Sequence, residues 1–396
     1  MLSNRQLFAQ YLAPVSPTPV GLEIERAEGI YLFSPDGKKY IDLISGISVS
    51  NLGHGHPAIK KAIAEQTERN LHLMVYGEFV QSPQTALAKE LIDVLPDQLH
   101  SIYFVSSGAE ATEGALKLAK RFTGKHEIVS FHNAYHGSTH GALSVTGNEA
   151  LKNAFRPLLP GVAFLELNNL IELRRINDKT ACVIIEPIQG EAGVIEADAK
   201  FLKALRKRCD ETGALLIFDE IQTGMGRTGK LFAYQHTEVK PDILLLGKAF
   251  GGGLPLAAFI SSKDIMSTLS HSPALGHITT FGGHPLSCAA ALAALKYIKE
   301  EQVLSPIEEK EKLFRKHLIH AAIKGIRGKG LFLALQFENA EINFAVIKKC
   351  LELGLLTDWF LFNDSAMRIA PPLIITKEQI MESCEIIIKA INKLKL

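Results

Sequence analysis

The sequence predicts an α/β protein, with a large domain on a mostly parallel, doubly wound sheet and a smaller α+β domain. Three observations carry that prediction. Short, continuously apolar runs recur from about residue 101, helix-length segments separate them, and the texture turns to Glu- and Lys-rich amphipathic stretches after about residue 300. Strands covered by helices on both faces need continuous apolar runs rather than alternating ones, which is why the runs point to a parallel sheet.

Taken in order, residues 1–50 carry short β-like pieces over Glu23–Asp42 around the turn Ser34-Pro35-Asp36-Gly37, a meander or hairpin assigned to the small domain. The large domain, 51–295, holds the runs Ile102–Val105, Cys182–Ile185, Leu215–Phe218, Ile243–Leu246 and Ala257–Ile260. Helices such as Glu110–Arg121 and Ala199–Glu211 connect them. The remainder, 296–396, reads as an amphipathic helix, a β segment over Gly328–Phe337, a second helix from Asn343, a β segment over Met367–Ile375 and a last helix. That mixture is expected of a small α+β domain.

Composition removes several classes of function. In 396 residues, 43 Lys and Arg balance 42 Asp and Glu for a net charge of +1, which lacks the basic excess of a nucleic-acid binder. The apolar runs are strand-length, far below the roughly 20 residues of a membrane span. Met1-Leu2-Ser3-Asn4-Arg5-Gln6-Leu7-Phe8 shows no apolar segment leading to a small-residue cleavage site, so a cytoplasmic location is expected. Cys182, Cys209, Cys288, Cys350 and Cys384 are odd in number and scattered, and are expected to be reduced structural thiols. His54, His56 and His284 lie in Gly-rich turns without an acidic neighbour, so no metal site is expected.

In a doubly wound sheet, ligands sit beyond the carboxyl ends of the strands. Four of the runs end in Ser106-Ser107-Gly108-Ala109, Glu186-Pro187, Asp219-Glu220 and Gly247-Lys248. Ser107-Gly108-Ala109 opens a helix, and free N–H groups at a helix start suit a phosphate, although a plain tight turn would also use this glycine. Asp219 follows four apolar residues, so its carboxylate needs a cationic or hydrogen-bonding partner, and a protonated ring nitrogen would be one. Lys248 follows Gly247 in apolar surroundings that favour the neutral amine, a nucleophile able to make a Schiff base with an aldehyde. A salt-bridged strand end would explain either charge singly. Together, a phosphate cup, a buried acid and an amine at one sheet edge are the three handles of pyridoxal phosphate.

With those residues in place the chain resembles the class III, ω-amino acid type aminotransferases of the fold type I pyridoxal phosphate enzymes. The resemblance runs nearly end to end. It is carried by Gly29-Ile30-Tyr31-Leu32, Gly53-His54-Gly55-His56-Pro57, Ser107-Gly108-Ala109-Glu110-Ala111, Glu186-Pro187-Ile188-Gln189-Gly190-Glu191, Phe218-Asp219-Glu220-Ile221-Gln222-Thr223-Gly224, Leu246-Gly247-Lys248, Thr280-Phe281-Gly282-Gly283-His284-Pro285 and Arg368-Ile369-Ala370-Pro371-Pro372.

The resemblance implies that Lys248 is the Schiff-base lysine and general acid/base, and that Asp219 keeps the pyridine nitrogen protonated. It implies that Gln222 meets the phenolic oxygen, Gly108 and Ala109 form the phosphate cup, and Tyr135 stacks on the ring. Thr280 would reach the phosphate of a neighbouring subunit, which implies a homodimer with shared active sites. Arg368 would grip the carboxylate of glutamate or 2-oxoglutarate in a planar fork and pair with Glu191 in its absence.

The implied activity is a ping-pong transfer of an amino group from an acetylornithine-, ornithine- or 4-aminobutyrate-like donor to a 2-oxo acid, with 2-oxoglutarate the expected acceptor. One departure stands out. Ser138, in Tyr135-His136-Gly137-Ser138-Thr139-His140, occupies the place where those relatives commonly carry Arg. The anchor for a distal carboxylate is therefore absent, and the donor is expected to be uncharged there or held elsewhere. Ser138, Tyr76, Tyr135 and His136 are candidate polar contacts to it. A racemase, aminomutase or decarboxylase would share the same cradle. A non-catalytic nucleotide-binding regulator is a more distant alternative, because Gly247-Lys248 lacks the spacing of a phosphate-binding P-loop.

Overall fold

The computed structural model describes residues 2–300 and 302–395. Its centre is a seven-stranded sheet in the spatial order Ser101–Val105, Ala257–Ser261, Ile243–Leu246, Leu215–Asp219, Thr180–Ile185, Glu127–Phe131, Val162–Leu165. Alternate residues of one strand feed different faces. Val183, Ile185, Leu216, Phe218, Leu244 and Leu246 join one core cluster, while Cys182, Ile184, Leu215, Ile217, Ile243 and Leu245 join the other. Both faces are buried, so the period of two is invisible in the sequence and each strand reads as an unbroken apolar run.

The sheet is mostly parallel, as expected, with one strand running against the others. Ala257–Ser261 pairs antiparallel with both Ile243–Leu246 and Ser101–Val105. The chain returns after a short 3-10 turn over Lys248–Gly251 and a left-handed Gly252, with no α-helix between the strands. A parallel return needs a crossover of a dozen or more residues, which this connection lacks. Two strands, Glu127–Phe131 and Val162–Leu165, complete the far side of the sheet and are not among the runs read from the sequence.

The Gly108–Thr123 helix begins where Ser107 accepts a hydrogen bond from the Glu110 amide, and it stops at Gly124, whose φ of 68° places it in the left-handed region. It buries Ala111, Ala115, Leu118 and Ala119 against the sheet. At Gly114 a Cβ would stand 2.3 Å from the Phe259 ring, so only glycine lets helix and sheet approach this closely.

Toward the carboxyl terminus, Gly325–Lys329, Phe332–Gln336, Asn363–Ile369 and Trp359–Phe360 form an antiparallel sheet. The helices Ile307–His317, Ala340–Glu352 and Lys377–Lys393 belong to the same stretch. Near the amino terminus, Arg26–Glu28, Tyr31–Phe33 and Lys39–Asp42 form the expected meander, and Leu355–Leu356 adds to it in parallel with Lys39–Asp42. Residues over 300 positions apart are thereby joined in one sheet.

Fully buried Arg227 ties the large sheet's loops to the carboxyl-terminal strands. Its Nη1 donates to the carbonyls of Leu331 at 2.9 Å and Pro371 at 2.6 Å, and its Nη2 donates to the Asn51 side chain. All five cysteines are free and buried. Burial pushes the thiols of Cys182, Cys209, Cys350 and Cys384 up to about 12, where they are unreactive near neutral pH.

Candidate active site

The carboxyl edge of the sheet gathers the chemistry. Leu215–Asp219 ends in Asp219, 4% exposed, whose Oδ1 accepts the Ile221 amide at 3.0 Å and whose Oδ2 lies 2.7 Å from His136 Nδ1. An ionised carboxylate can only accept, so Nδ1 carries the hydrogen. The other ring nitrogen, Nε2, is buried without a protein partner. The His136 backbone is fixed as well, its carbonyl accepting from Thr112 Oγ1 at 3.0 Å and its amide donating to Thr146 Oγ1 at 3.2 Å.

Lys248 follows the Ile243–Leu246 strand, next to Asp219's own. It adopts φ +47°, a left-handed conformation that residues with a Cβ rarely take and that concentrates at functional sites. Desolvation holds its pKa below the ordinary lysine value; Arg368 adds to that effect, and Glu191, Asp219 and Glu186 oppose it. All four lie within electrostatic range of the amine. Gly247 and Gly108 both press on Ile221: a Cβ on Gly247 would lie 3.1 Å from Ile221 Cγ2, and one on Gly108 would lie 2.9 Å from Cδ1. The start of the Gly108–Thr123 helix and the Lys248 turn are thus packed on either side of a single residue.

Glu186, at the end of the central strand Thr180–Ile185, accepts the Tyr135 amide at 2.9 Å on Oε1 and the Gly190 amide at 3.0 Å on Oε2. Burial pushes its carboxyl up to about 7, with Asp219 reinforcing the shift and His136 resisting it. Gly190 leaves room for Gln222, whose Oε1 would lie 2.5 Å from a Cβ at that position. The Gln222 amide nitrogen is buried without a partner.

Arg368 comes from the strand Asn363–Ile369 and Glu191 from the turn after Ile188–Gln189. They form a two-bond fork, Nη1 to Oε1 at 3.1 Å and Nη2 to Oε2 at 3.0 Å, with both side chains buried. Burial works to raise the Glu191 pKa, and the facing guanidinium outweighs it, leaving the carboxylate below its ordinary range. The arginine has a second carboxylate that the sequence reading did not include: Nε donates to Asp358 Oδ1 at 2.8 Å. Burial holds Asp358 above its ordinary range against the pull of the arginine. Nη2 also donates to the Trp359 carbonyl at 3.1 Å, and the Phe360 ring centre lies 4.4 Å from the guanidinium carbon. Glu191 is pinned in turn by the Leu361 amide on Oε2 at 3.1 Å and by the Phe362 amide on its carbonyl at 3.0 Å. Phe362 then reaches Tyr135, with ring centres 6.4 Å apart.

Lys248, Asp219, Gln222, Glu191 and Arg368 therefore lie around one edge, with Gly108, Ala109 and Tyr135 beside them. Ser138 is exposed and meets the Tyr135 hydroxyl at 3.2 Å. Tyr76 and Thr280 are exposed and outside this cluster. The histidines of the Gly-rich turns go to separate neighbours: His54 to Asp42 at 2.8 Å, His56 edge-on to Tyr297, and His284 stacked on His72.

Helix-start amides at Gly108 and Ala109 without intrahelical acceptors, a buried amide donor on Gln222, a buried carboxylate and a desolvated lysine fit the phosphate, phenolic oxygen, ring nitrogen and aldehyde of pyridoxal phosphate. Fold and site together define a pyridoxal-phosphate-dependent enzyme of fold type I. The chain belongs to the class III aminotransferases, whose family model matches residues 12–391. It is 41% identical over 367 residues to an acetylornithine aminotransferase of Methanocaldococcus jannaschii, covering 89% of each chain. It is 37% identical over 383 residues to a [LysW]-aminoadipate semialdehyde/glutamate semialdehyde transaminase of Sulfolobus acidocaldarius, covering 95% of this chain and 96% of that one. Among solved structures, an ornithine aminotransferase from Toxoplasma gondii superposes with a TM-score of 0.91 at 31% identity, covering 98% of this chain and 93% of that one.

Proposed function

We propose that this aminotransferase takes an amino group from an ω-amino donor of the acetylornithine, ornithine or 4-aminobutyrate kind and delivers it to 2-oxoglutarate, in two half-reactions of ping-pong order. The observation that carries the reading is the Glu191–Arg368 fork in electrostatic range of Lys248. A guanidinium held by an internal carboxylate is a carboxylate site with a removable occupant, which is what two alternating substrates require.

Bound pyridoxal phosphate supplies an aldehyde that holds amines and a ring that accepts the charge left when the substrate C–H bond breaks. The protein supplies the remainder. Lys248 Nζ would hold the aldehyde carbon and, once freed, would carry the substrate proton, a task eased by its lowered pKa. Asp219, aligned by His136, holds a proton on the ring nitrogen. Gln222 Nε2 would hold the phenolic oxygen, the Gly108 and Ala109 amides would hold the phosphate, and Tyr135 would lie against the ring. When 2-oxoglutarate or glutamate arrives, its carboxylate takes the Arg368 fork and Glu191 moves off. An ω-amine without an α-carboxylate leaves the fork closed. Ser138, beside the Tyr135 hydroxyl, faces the donor, and Tyr76, exposed outside the cluster, is a candidate contact to it.

Thr280 completes the phosphate site of a second copy, so the working unit is a homodimer with shared active sites. The exposed Leu275, Ile278 and Phe281 around Thr280 support that assignment. The domains divide at 50/51 and 295/296, and the location is cytoplasmic. No described helix is long and apolar enough to cross a membrane.

The purified protein is expected to be yellow, and borohydride is expected to fix the chromophore on Lys248. Glutamate is expected to bleach the aldehyde absorbance with release of 2-oxoglutarate. A label on another lysine, or no reaction with glutamate, overturns this reading.

A further inference from the structure

One carboxylate near the site has no part in the chemistry described so far. Glu113 lies on the Gly108–Thr123 helix, a turn beyond the Gly108 and Ala109 amides. Its Oε1 accepts three hydrogen bonds from a single turn: Thr139 Oγ1 at 2.6 Å, the Gly141 amide at 2.8 Å and the Ala142 amide at 3.3 Å. The short helix His140–Val145 begins there, and its N-cap Thr139 makes no side-chain capping bond of its own. Glu113 therefore serves as the cap from a different helix, and its negative charge meets the positive end of the short helix. Gly141 is the residue that lets it in, since a Cβ there would stand 2.1 Å from Glu113 Oε2.

Two neighbours on the same helix face hold the same turn. Thr112 Oγ1 donates to the His136 carbonyl at 3.0 Å, and a Cβ at Gly137, φ +126°, would lie 2.7 Å from Ala109 Cβ. Positions 109, 112 and 113 share a face by helical spacing. The clamped turn carries Tyr135, His136 and Ser138.

We propose that Glu113 is a positioning residue for the cofactor, fixing the turn that carries Tyr135 and His136 onto the helix whose first amides face the phosphate. The phosphate cup and the ring clamp are then one rigid unit, in which the three hydrogen bonds on Glu113 Oε1 add to the Thr112 bond and the Ala109–Gly137 packing. The proposal rests on the pyridoxal phosphate reading of the site.

The test uses full-length protein stripped of cofactor and titrated with pyridoxal phosphate, reading the dissociation constant and the induced circular dichroism of the bound chromophore. Glu113→Ala is expected to weaken binding by about 10-fold or more and to diminish the dichroic band. Glu113→Gln keeps the accepting oxygen and is expected to restore affinity to within about 3-fold of the parent. Thr139→Val removes one donor of three and is expected to cost about 3-fold, and it carries the test if the alanine variant does not fold. Parental affinity and dichroism in Glu113→Ala overturn the proposal. So does an equal loss in the alanine and glutamine variants that merely tracks a lower melting temperature of the cofactor-free protein. If the parent protein itself binds no pyridoxal phosphate, the underlying assignment of the site fails instead.

Discussion

His136 Nδ1 and Asp219 Oδ2 lie 2.7 Å apart, with the side chains 0% and 4% exposed. A carboxylate in such a place can turn toward more than one neighbour. The imidazole, with the Ile221 amide on the other oxygen, removes that freedom.

His136→Ala is therefore expected to leave Asp219 charged but poorly aimed. Partners that orient a buried functional group are worth about 10- to 100-fold, and a fall of that size in kcat/KM is expected. Asp219→Asn, which removes the charge itself, is expected to cost more. Steady-state kinetics on both variants check the order, and a His136→Ala enzyme with parental kcat/KM would show that Asp219 needs no alignment.

A second prediction concerns Arg368. It is shared by Glu191 and Asp358, so its removal leaves two buried carboxylates without their cation. Breaking a buried pair in this way costs about 3–5 kcal/mol. Arg368→Ala is expected to lose that much unfolding free energy in urea at pH 7.5. Less is lost as pH falls, because protonation of Asp358, held above its ordinary range by burial, removes one of the two uncompensated charges. Arg368→Lys keeps the charge and loses the fork, and its KM for 2-oxoglutarate is expected to rise about 30-fold or more. An unchanged KM would remove Arg368 from the carboxylate site.

Much of this site could be read from the chain because its parts sit at strand ends. Asp219 and Lys248 each close an apolar run, and a polar residue at the end of such a run is conspicuous. The Glu191–Arg368 pairing came only from the family resemblance, and the other pairings between elements were not legible. His136 and Asp219 are 83 residues apart, and nothing local to either announces the other. Asp358 lies in Thr357-Asp358-Trp359-Phe360-Leu361-Phe362, where the aromatic residues suggest core packing and conceal that consecutive positions hold Arg368 and Glu191. The direction of the antiparallel strand Ala257–Ser261 was not legible for a related reason. Its residues are as apolar as those of its parallel neighbours, and direction depends on the length of the Gly-rich connection rather than on the strand.

The lysine makes a prediction about stability. Burial holds Lys248 below its ordinary pKa in the folded cofactor-free protein, so between the folded and unfolded values the unfolded chain binds more protons. Stability from this residue therefore rises with pH and levels off near the ordinary lysine value, about 10.4. Lys248→Met, of similar length and without the charge, is expected to raise the melting temperature of the cofactor-free protein at pH 7, with the gain shrinking as pH approaches 10. Scanning calorimetry of both proteins from pH 7 to 10 checks it. A variant that melts below the parent at pH 7 would show that Glu191, Asp219 and Glu186 gain more from the amine than its desolvation costs.

Glu186 shifts in the opposite sense. Its folded carboxyl titrates at about 7 because burial outweighs the two amides that favour its charged form. The folded protein then binds the extra proton between the unfolded value, about 4.3, and that folded value. Its contribution to stability is fully present below the unfolded pKa and is lost as pH rises through 7, a change of about 4 kcal/mol. Glu220, also pushed up to about 7 by burial, titrates in the same window, so the parent protein alone cannot separate the two. A comparison with Glu186→Gln can, because Glu220 is present in both proteins and cancels. The glutamine variant is expected to be destabilised relative to the parent by more at pH 5 than at pH 8, measured by urea unfolding of the cofactor-free proteins. A pH-independent difference would mean that Glu186 is ionised throughout this range, and that the Tyr135 amide is held by a charged acceptor.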